Sequence, residues 1–338
     1  MNSPNKEKFR EIILNSANQL SSDPKFINQL NISRRQFNKI LICGMGGSAL
    51  AGEMLFGLKL KNFDPFNLNL PVFIHRSYDL PPDTDQKTLI ICLSYSGNTE
   101  ETISAYQAAK NQEWEIAGVT SGGKLAEIFD KNGTPWIKMP EPEMPPRCAV
   151  GYQLVALAKI LMAYGLLPPY TQKELAETAA KISPAEIENS AREFSEKIAG
   201  KIPVIYSSDE NRALARIWKI KINENAKIPA FWNVLPELNH NEMVGWPKND
   251  NRWPFAFIWL SDSADSPQIK KRLELTSKLL ADNGWQTEKI ELGGATALEK
   301  MFWALAFGDW VSYFLALSSG VDPAPVEAVE KFKKLLSA

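Results

Sequence analysis

The sequence predicts an α/β protein built from two doubly wound parallel sheets. Apolar, strand-like runs alternate with helical patterns along most of the chain, which is typical of parallel strands joined by crossover helices. The alternation stops near Pro168-Pro169 and restarts at Ile202. A length of 338 residues also suits two domains. We therefore expect two lobes of one architecture, each an αβα sandwich.

The first lobe is expected to span residues 1–165. Four apolar runs predict its strands, and they lie at 39–43, 71–74, 89–93 and 115–119. Three helical patterns follow strands or close the lobe, and they lie at 48–58, 101–110 and 152–164. The last pattern ends at Gly165, which is the residue type that commonly terminates a helix.

A helical connection is expected at 166–200 and a second lobe at 201–338. Within the connection, Ser183-Pro184-Ala185-Glu186 has the sequence of a capping box with proline in the first turn. The second lobe has predicted strands at 202–206, 255–260 and 289–292, the last as an edge strand. Its predicted helices lie at 212–226, 267–282 and 298–317, and a C-terminal helix is predicted at 325–336.

Composition excludes several classes of protein. The formal net charge is -1, whereas nucleic-acid-binding domains usually carry a basic excess. The three cysteines show no CxxC spacing, so neither a disulfide framework nor a zinc site is expected, and Cys43 and Cys92 should be core residues. No apolar signal segment follows the N-terminus, and no apolar run reaches the roughly 18 residues that span a bilayer. We expect a cytoplasmic protein without membrane or nucleic-acid partners.

The most informative segment lies between the third strand and its helix, and it reads Leu93-Ser94-Tyr95-Ser96-Gly97-Asn98-Thr99. Ser94, Ser96 and Thr99 offer three hydroxyl donors, and Gly97 allows the backbone to approach a ligand. The N–H groups and dipole of the helix start also favour an anion. Because the loop contains no lysine, it is not a Walker-type cradle. It predicts a site for one small phosphate, such as that of a sugar phosphate.

A second glycine-rich turn follows the first strand and reads Gly44-Met45-Gly46-Gly47-Ser48-Ala49. Two interpretations remain open. The spacing fits a GxGxxA variant of the dinucleotide fingerprint, for which Arg76 could accommodate an NADP 2′-phosphate. Alternatively, Gly46 and Gly47 permit close approach to a sugar, and Ser48 donates a hydrogen bond to it.

These turns resemble those of the sugar isomerase (SIS) domain, in which the phosphate lies on an SxSGxT loop. Further segments resemble one branch, the bifunctional phosphoglucose/phosphomannose isomerase family. The resemblance covers nearly the whole chain with five separated motifs in order. Beyond the two turns, the similar segments lie at 145–152, 223–230, 236–242 and 320–327.

The resemblance implies an aldose–ketose isomerase that interconverts glucose 6-phosphate, and also mannose 6-phosphate, with fructose 6-phosphate. It implies a cis-enediol route without metal or cofactor, and a homodimer. Such a reaction needs a base that moves a proton between adjacent carbons, a group that opens the ring and a cation or donors for the enediolate charge. The second lobe is expected to lack a phosphate loop of its own.

The resemblance also assigns roles to individual residues. Glu224, which lies 16 positions before His240 (240 − 224), matches the family's base, and His240 matches its ring-opening histidine. Arg147 matches the arginine that steadies the enediolate, and its charge is permanent. Glu237 and Glu242 remain rival bases near His240.

Other assignments are less specific. The family places a C-terminal lysine near substrate oxygens, and among Lys331, Lys333 and Lys334 the local pattern favours Lys333. His75, at a strand end, is expected to be structural. Two other classes stay open, namely a sugar-phosphate-sensing regulator of the same fold and an NADP-dependent oxidoreductase. A regulator would be expected to carry a helix-turn-helix and a basic face, and neither is evident in the sequence.

Overall fold

The computed structural model describes residues 4–29, 36–140 and 144–336, and it divides into two units. The first unit is Asn15–Ile182, and the second unit combines Met1–Leu14 with Ser183–Ala338. The segment 166–200, which the sequence predicts as a helical connection, contains two helices that belong to different units.

Helices and strands alternate as the sequence predicts. The helices are α1 (Pro4–Leu14), α2 (Leu50–Leu60), α3 (Glu100–Asn111), α4 (Gly123–Asn132), α5 (Val150–Ala163), α6 (Thr171–Lys181), α7 (Pro184–Lys197), α8 (Arg212–Lys221), α9 (Pro267–Asp282), α10 (Ala297–Ser318) and α11 (Glu327–Leu336). The strands are β1 (Phe26–Ile27), β2 (Lys39–Cys43), β3 (Val72–His75), β4 (Thr88–Ser94), β5 (Ile116–Thr120), β6 (Trp136–Lys138), β7 (Ile202–Ser208), β8 (Phe231–Leu235), β9 (Phe255–Ser261) and β10 (Gln286–Glu291).

The first unit contains a six-stranded sheet in the order β1-β6-β5-β4-β2-β3. All its pairings are parallel except that of β1 with β6. Every residue of β4 is buried, as expected for a strand covered on both faces. Cys43, the last residue of β2, is the register partner of Cys92 within β4, and both are buried free thiols. The hydrogen bond to Cys43, together with burial, raises the pKa of the Cys92 thiol well above its usual value, which suits core packing.

The second unit contains a four-stranded, wholly parallel sheet in the order β10-β9-β7-β8. The predicted edge strand is the edge strand β10. The sequence does not predict β8, because only Leu235 of its five residues is buried and Pro229 and Pro236 flank it. The order β5-β4-β2-β3 within the first sheet corresponds to β10-β9-β7-β8 in the second.

The helix α10 is the central helix of the second unit. By length and composition it could cross a membrane, which corrects the expectation that no run is long enough, but 83% of its most apolar window is buried inside the protein. Trp310 on α10 donates to the Pro184 carbonyl at 2.7 Å, and Trp218 on α8 donates to the Ala304 carbonyl on α10 at 2.9 Å. These contacts identify α10 as a core helix.

The helix α1 also packs in the second unit. Arg10 forms an ion pair with Glu188 on α7 at 2.6 Å, and the ring of Phe9 stacks on Tyr313 of α10 at 6.1 Å between centroids. The start of α7 at Pro184 agrees with the sequence, but the predicted capping box is wrong. Ser183 makes no side-chain cap hydrogen bond, and its carbonyl accepts from the Glu186 N–H instead.

Candidate active site

The hydroxyl loop, defined as residues 94–99, joins β4 to α3. Ser94 is fully buried, and its Oγ shares a hydrogen bond of 2.8 Å with Thr99 Oγ1. The same Oγ accepts from the Gly97 N–H at 3.1 Å. Ser96 is exposed, and its Oγ accepts from the Asn98 N–H at 3.3 Å. The serine and threonine side chains therefore hold both ends of the loop together.

The start of α3 suits an anion. Thr99 is the N-cap residue, yet its side chain makes no cap hydrogen bond to the helix. The first N–H groups of a helix have no partners within the helix and need a side chain, water or ligand. A phosphate at this position could accept from them and benefit from the helix dipole.

Gly97 has a conformation that the loop requires. Its φ is +69°, and a Cβ there would lie 1.8 Å from the Gly122 carbonyl oxygen. The Gly97 carbonyl also accepts from the Leu125 N–H at 2.9 Å. Only glycine lets the hydroxyl loop lie this close to the turn after β5.

The glycine turn is the 3-10 helix Gly46–Ala49 between β2 and α2. Ser48 is 6% exposed, and its Oγ accepts from the Tyr95 N–H at 2.9 Å, which connects this turn to the hydroxyl loop. A Cβ on Gly47 would lie 2.7 Å from the Arg147 backbone nitrogen. The structure thus brings together the predicted phosphate-site and sugar-site residues of the first unit.

Arg147 lies in the 3-10 turn Pro146–Cys148, directly before α5. Its side chain is buried, with the residue 1% exposed, so Arg147 is not an ordinary surface arginine. Burying a guanidinium requires partners for its charge, and this is typical of an arginine with a specific task.

The residues invoked for a dinucleotide site have other contacts. Arg76 forms an ion pair with Glu53 of α2, which is itself 6% exposed. His75 Nε2 lies 2.9 Å from the Asp79 carbonyl oxygen, as expected for a structural histidine. The described geometry therefore offers the NADP interpretation no support.

Glu224 lies in a π-helical turn, Ile222–Ala226, that continues α8. The sequence predicts ordinary helix here. Just before the turn, Lys221 forms a buried ion pair with Asp309 of α10. Within it, Asn225 donates to Ser312 Oγ of α10 at 2.9 Å. Such turns are rare and frequently lie at functional sites. The half-buried Glu224 is held between two anchors on the core helix.

Lys227 closes the π-helical turn. It adopts a left-handed conformation with φ +59°, and its Nζ donates to the Glu224 carbonyl at 2.7 Å and to the Pro323 carbonyl at 3.3 Å. Lys227 therefore joins the segments 223–230 and 320–327, two of the motifs that the sequence singled out. Residue spacing does not predict that Lys227 joins these segments, although Lys227 lies within the segment 223–230.

His240 ends the 3-10 turn Glu237–His240 after β8 and is exposed. Across residues 4–29, 36–140 and 144–336 it has no hydrogen bond or ion pair. Its neighbour Asn239 is fixed, since it donates to Thr276 Oγ1 at 2.9 Å and accepts from Arg272 at 3.0 Å. The histidine is thus presented outward on an anchored turn.

The rival bases differ from Glu224 in their contacts. Both carboxylate oxygens of Glu242 accept hydrogen bonds, one from Tyr206 Oη at 2.5 Å and the other from Asn233. Burial, followed by this hydrogen bond, raises the pKa of Tyr206 well above its usual value, so Tyr206 stays a donor. Glu237 is exposed and accepts from Asn241 at 2.6 Å.

Lys333 lies on α11, where it is exposed and forms an ion pair of 2.9 Å with Glu330. Its neighbours Lys331 and Lys334 are also exposed. Exposure does not separate the three lysines. In the part of the chain that the structure describes, no group of three or more His, Cys, Asp or Glu residues could hold a metal ion.

Sequence comparison places this arrangement among known proteins. Residues 187–336 match the family described as bacterial phospho-glucose isomerase C-terminal SIS domain. The bifunctional phosphoglucose/phosphomannose isomerase of Aquifex aeolicus is 35% identical over 89% of this chain and 91% of its own. That of Thermoplasma volcanium is 35% identical over 97% and 99%. The chain belongs to the bifunctional phosphoglucose/phosphomannose isomerase family.

Other similarities of this isomerase-family chain are broader. A D-glucosamine-6-phosphate 4-epimerase of Sulfolobus acidocaldarius is 37% identical over 67% of this chain and 70% of its own. Among solved structures, the C-terminal domain of glucosamine-fructose-6-phosphate aminotransferase from Francisella tularensis superposes with a TM-score of 0.69, at 15% identity and with 95% and 97% of the two chains covered. Glucosamine-6-phosphate deaminase from Thermotoga maritima gives 0.65 at 16% identity, with 94% and 96% covered. These structures confirm the predicted SIS-type fold.

Proposed function

We propose that this protein interconverts glucose 6-phosphate, and also mannose 6-phosphate, with fructose 6-phosphate. One observation carries the proposal, which is the similarity over nearly the full chain to relatives named for both activities. The substrate is accordingly a hexose phosphate.

The hydroxyl loop would bind the substrate phosphate. Ser94, Ser96 and Thr99 would surround it together with the helix N-terminus that Thr99 leaves without a side-chain cap. Ser48 would contribute from the glycine turn, to which the loop is hydrogen bonded. Gly46 and Gly47 would let the sugar approach the backbone. Hydroxyl and backbone donors suit a dianion that must enter and leave at every turnover.

Four residues would carry the chemical steps. Glu224 would move the proton between C2 and C1 on one face of a cis-enediol, as a positioned carboxylate can do. Arg147 would meet the enediolate charge without a proton transfer, because a guanidinium stays charged. His240 would help to open the ring, since imidazole exchanges protons near neutral pH. Lys333 would contact substrate oxygens. No metal or cofactor enters this scheme.

We also propose that the protein acts as a cytoplasmic homodimer. The support is the exposed His240, which has no hydrogen bond or ion pair within the described residues although its turn is anchored. A histidine presented in this way could complete the site of a second copy, which would make the isolated monomer inactive.

A coupled assay with fructose 6-phosphate in EDTA tests the activity. We expect glucose 6-phosphate and mannose 6-phosphate to be produced, each read by its own coupling enzyme. A parallel reaction should contain D-glucosamine 6-phosphate, because one relative is named for its 4-epimerisation. Epimerisation without any isomerisation of fructose 6-phosphate would contradict the proposal.

Replacing Glu224 by glutamine tests the base. We expect kcat to fall about 10²–10⁴-fold, the usual effect of removing a general base, while phosphate binding measured by calorimetry is retained. Glu237→Gln is the matched control and should keep nearly normal turnover. The opposite result, with Glu237 essential and Glu224 dispensable, would reassign the base.

A further inference from the structure

Gln19 connects the residue that follows Arg147 to the start of α5. The residue is 2% exposed and lies in the 3-10 helix Ala17–Ser21. Its Nε2 donates to the Cys148 carbonyl at 2.8 Å. Its Oε1 accepts from the Gly151 N–H at 3.0 Å and from the Tyr152 N–H at 3.3 Å. One buried amide therefore connects the residue after Arg147 to the first turn of α5.

A glutamine suits this position chemically. The first N–H groups of α5 need an acceptor, and the N-cap residue Ala149 has no side chain that could supply one. The Cys148 carbonyl needs a donor, and an amide side chain provides both functions. A Cβ on Gly151 would lie 2.7 Å from Gln19 Cβ, so glycine at 151 gives Gln19 room to reach the helix.

Two further contacts fix the same turn. Gln153 Nε2 donates to the Pro146 carbonyl at 3.0 Å, from within α5. The glycine turn packs against the Arg147 backbone nitrogen through Gly47. The carbonyls of Pro146 and Cys148, the two neighbours of Arg147, thus accept from buried side chains. The Arg147 backbone nitrogen lies against Gly47 of the glycine turn.

We propose that Gln19 is a positioning residue for Arg147, acting by holding the turn Pro146–Cys148 against the glycine turn. The inference rests on the proposed function, in which Arg147 meets the enediolate charge. Stabilisation of a developing charge depends on groups placed in advance, and a shift of about 1 Å can cost on the order of 10²-fold in rate. Phosphate binding depends on the hydroxyl loop, to which Gln19 makes no hydrogen bond. Loss of Gln19 should therefore lower kcat and leave KM nearly unchanged.

The test variant is Gln19→Met, which keeps the volume and removes all three hydrogen bonds. We expect kcat for fructose 6-phosphate to fall about 10- to 100-fold and KM to change less than about 3-fold. The matched control is Gln172→Met. Gln172 donates to the Ser22 carbonyl at 2.9 Å, at the end of the same 3-10 helix, and makes no hydrogen bond to the 146–152 segment. It removes a single hydrogen bond, so it should lower the melting temperature less than Gln19→Met and leave kcat within about 2-fold.

A double-mutant cycle separates positioning from general damage. In an Arg147→Ala background, Gln19→Met should change kcat by less than about 2-fold, because the residue that it positions is already absent. Effects that multiply, or a rise in KM that matches the fall in kcat, would overturn the inference. If Gln19→Met does not fold, Gln153→Met removes one hydrogen bond to the same turn and should show the same preference for kcat at smaller size.

The cycle also distinguishes the inference from the proposed function. Near-normal turnover in Arg147→Ala would remove Arg147 from the mechanism, and the inference would be wrong with it. Strong loss in Arg147→Ala together with normal turnover in Gln19→Met would overturn the inference alone.

Discussion

The hydroxyl loop of the first unit has a counterpart in the second unit. The first loop contains uncharged hydroxyl side chains, whereas the second contains carboxylates. β4 and β9 hold corresponding places in their sheets, and each ends at a serine. The helices α3 and α9 begin six residues later. The loop after β9, residues 261–266, is called the aspartate loop. It reads Ser-Asp-Ser-Ala-Asp-Ser where the hydroxyl loop reads Ser-Tyr-Ser-Gly-Asn-Thr.

The aspartate loop is closed by an internal ion pair. Asp262 is 1% exposed, and its Oδ1 accepts from Lys300 of α10 at 2.6 Å. The same oxygen accepts from the Ala264 N–H at 2.9 Å, and Lys300 also donates to Ser263 Oγ at 2.8 Å. A carboxylate at this position repels a phosphate, and its cation is already supplied by the chain.

The helices that follow the two loops also differ in whether a side chain caps their first turn. Ser266 accepts from the Ile269 N–H and so caps α9, whereas Thr99 shares its hydroxyl with Ser94 and leaves α3 without a side-chain cap. The same loop length between strand and helix therefore suits the anion site proposed above when its side chains are hydroxyls and glycine. It yields a structural turn when carboxylates and a cap satisfy its polar groups from within.

The largest effect is expected for Lys300→Met. Removing one member of a buried ion pair leaves Asp262 without its cation, which should cost about 3–5 kcal/mol in the free energy of unfolding. Denaturant unfolding measures it, with the exposed Lys278→Met as control. KM for fructose 6-phosphate should stay unchanged in protein that remains folded, and a large rise in KM would show that the aspartate loop takes part in binding.

Gly97 and Ala264 occupy corresponding positions in the two loops. Replacing Gly97 by alanine should lower stability almost as much as Lys300→Met, whereas replacing Ala264 by glycine should have a small effect. Gly97→Ala forces a Cβ into the Gly122 carbonyl at a positive φ, so we expect a loss of about 2–4 kcal/mol and weakened phosphate binding. Ala264→Gly should cost about 1 kcal/mol at most. Thermal unfolding and phosphate calorimetry on both variants test the contrast, and equal effects would contradict it.

Replacing the serines that end β4 and β9 should show that only the first one contributes to substrate binding. Ser94→Ala removes a buried hydroxyl that orders the hydroxyl loop, and hydrogen bonds to charged groups contribute about 1.5–3 kcal/mol. We expect KM to rise about 10- to 100-fold, by the same estimate. Ser261→Ala should leave KM within about 2-fold. Steady-state kinetics measures both KM values. An equal rise in KM for Ser94→Ala and Ser261→Ala would contradict the assignment of binding to the hydroxyl loop alone.

The smallest effects concern the cap positions. Ser266→Ala should lower stability by about 0.5–1 kcal/mol through loss of the α9 cap, without a change in KM. Thr99→Val should instead raise KM, and its cost in stability, about 1 kcal/mol, should come from the lost hydrogen bond to Ser94 and not from a cap. Paired melting curves and kinetics reveal whether the two positions differ in this way.

Much of the fold follows from local sequence. The bounds of β2 and α9 agree with prediction to the residue, because a continuous apolar run and an N-terminal proline are strong local signals. Weak elements such as β1 and β6 were missed, since two or three residues carry too little pattern. The repeated spacing of hydroxyl residues at 94–99 and 261–266 is visible in the sequence and could have shown that the lobes share a loop.

The site depends more on contacts that are distant in sequence. The sequence predicts ordinary helix around Glu224 and not a π-helical turn, because the anchoring residues Ser312 and Asp309 lie almost 90 positions away. Gln19 reaches Cys148 across a separation of 129 positions. The hydrogen bond from Tyr206 to Glu242 likewise cannot be predicted from residue spacing. Sequence motifs predict candidate site residues, whereas the distant residues that contact and hold them are identified only from the structure.

The membership of α1 in the second unit has a consequence for synthesis on the ribosome. This helix emerges before its partners on α7 and α10, Glu188 and Tyr313, which follow the whole intervening unit. Phe9 and Arg10 of α1 therefore wait for these partners while residues 15–182 are synthesised. A fragment that begins at 183 would leave Tyr313 without its stacked ring and Glu188 without Arg10, so dissection of the chain should retain or relocate α1.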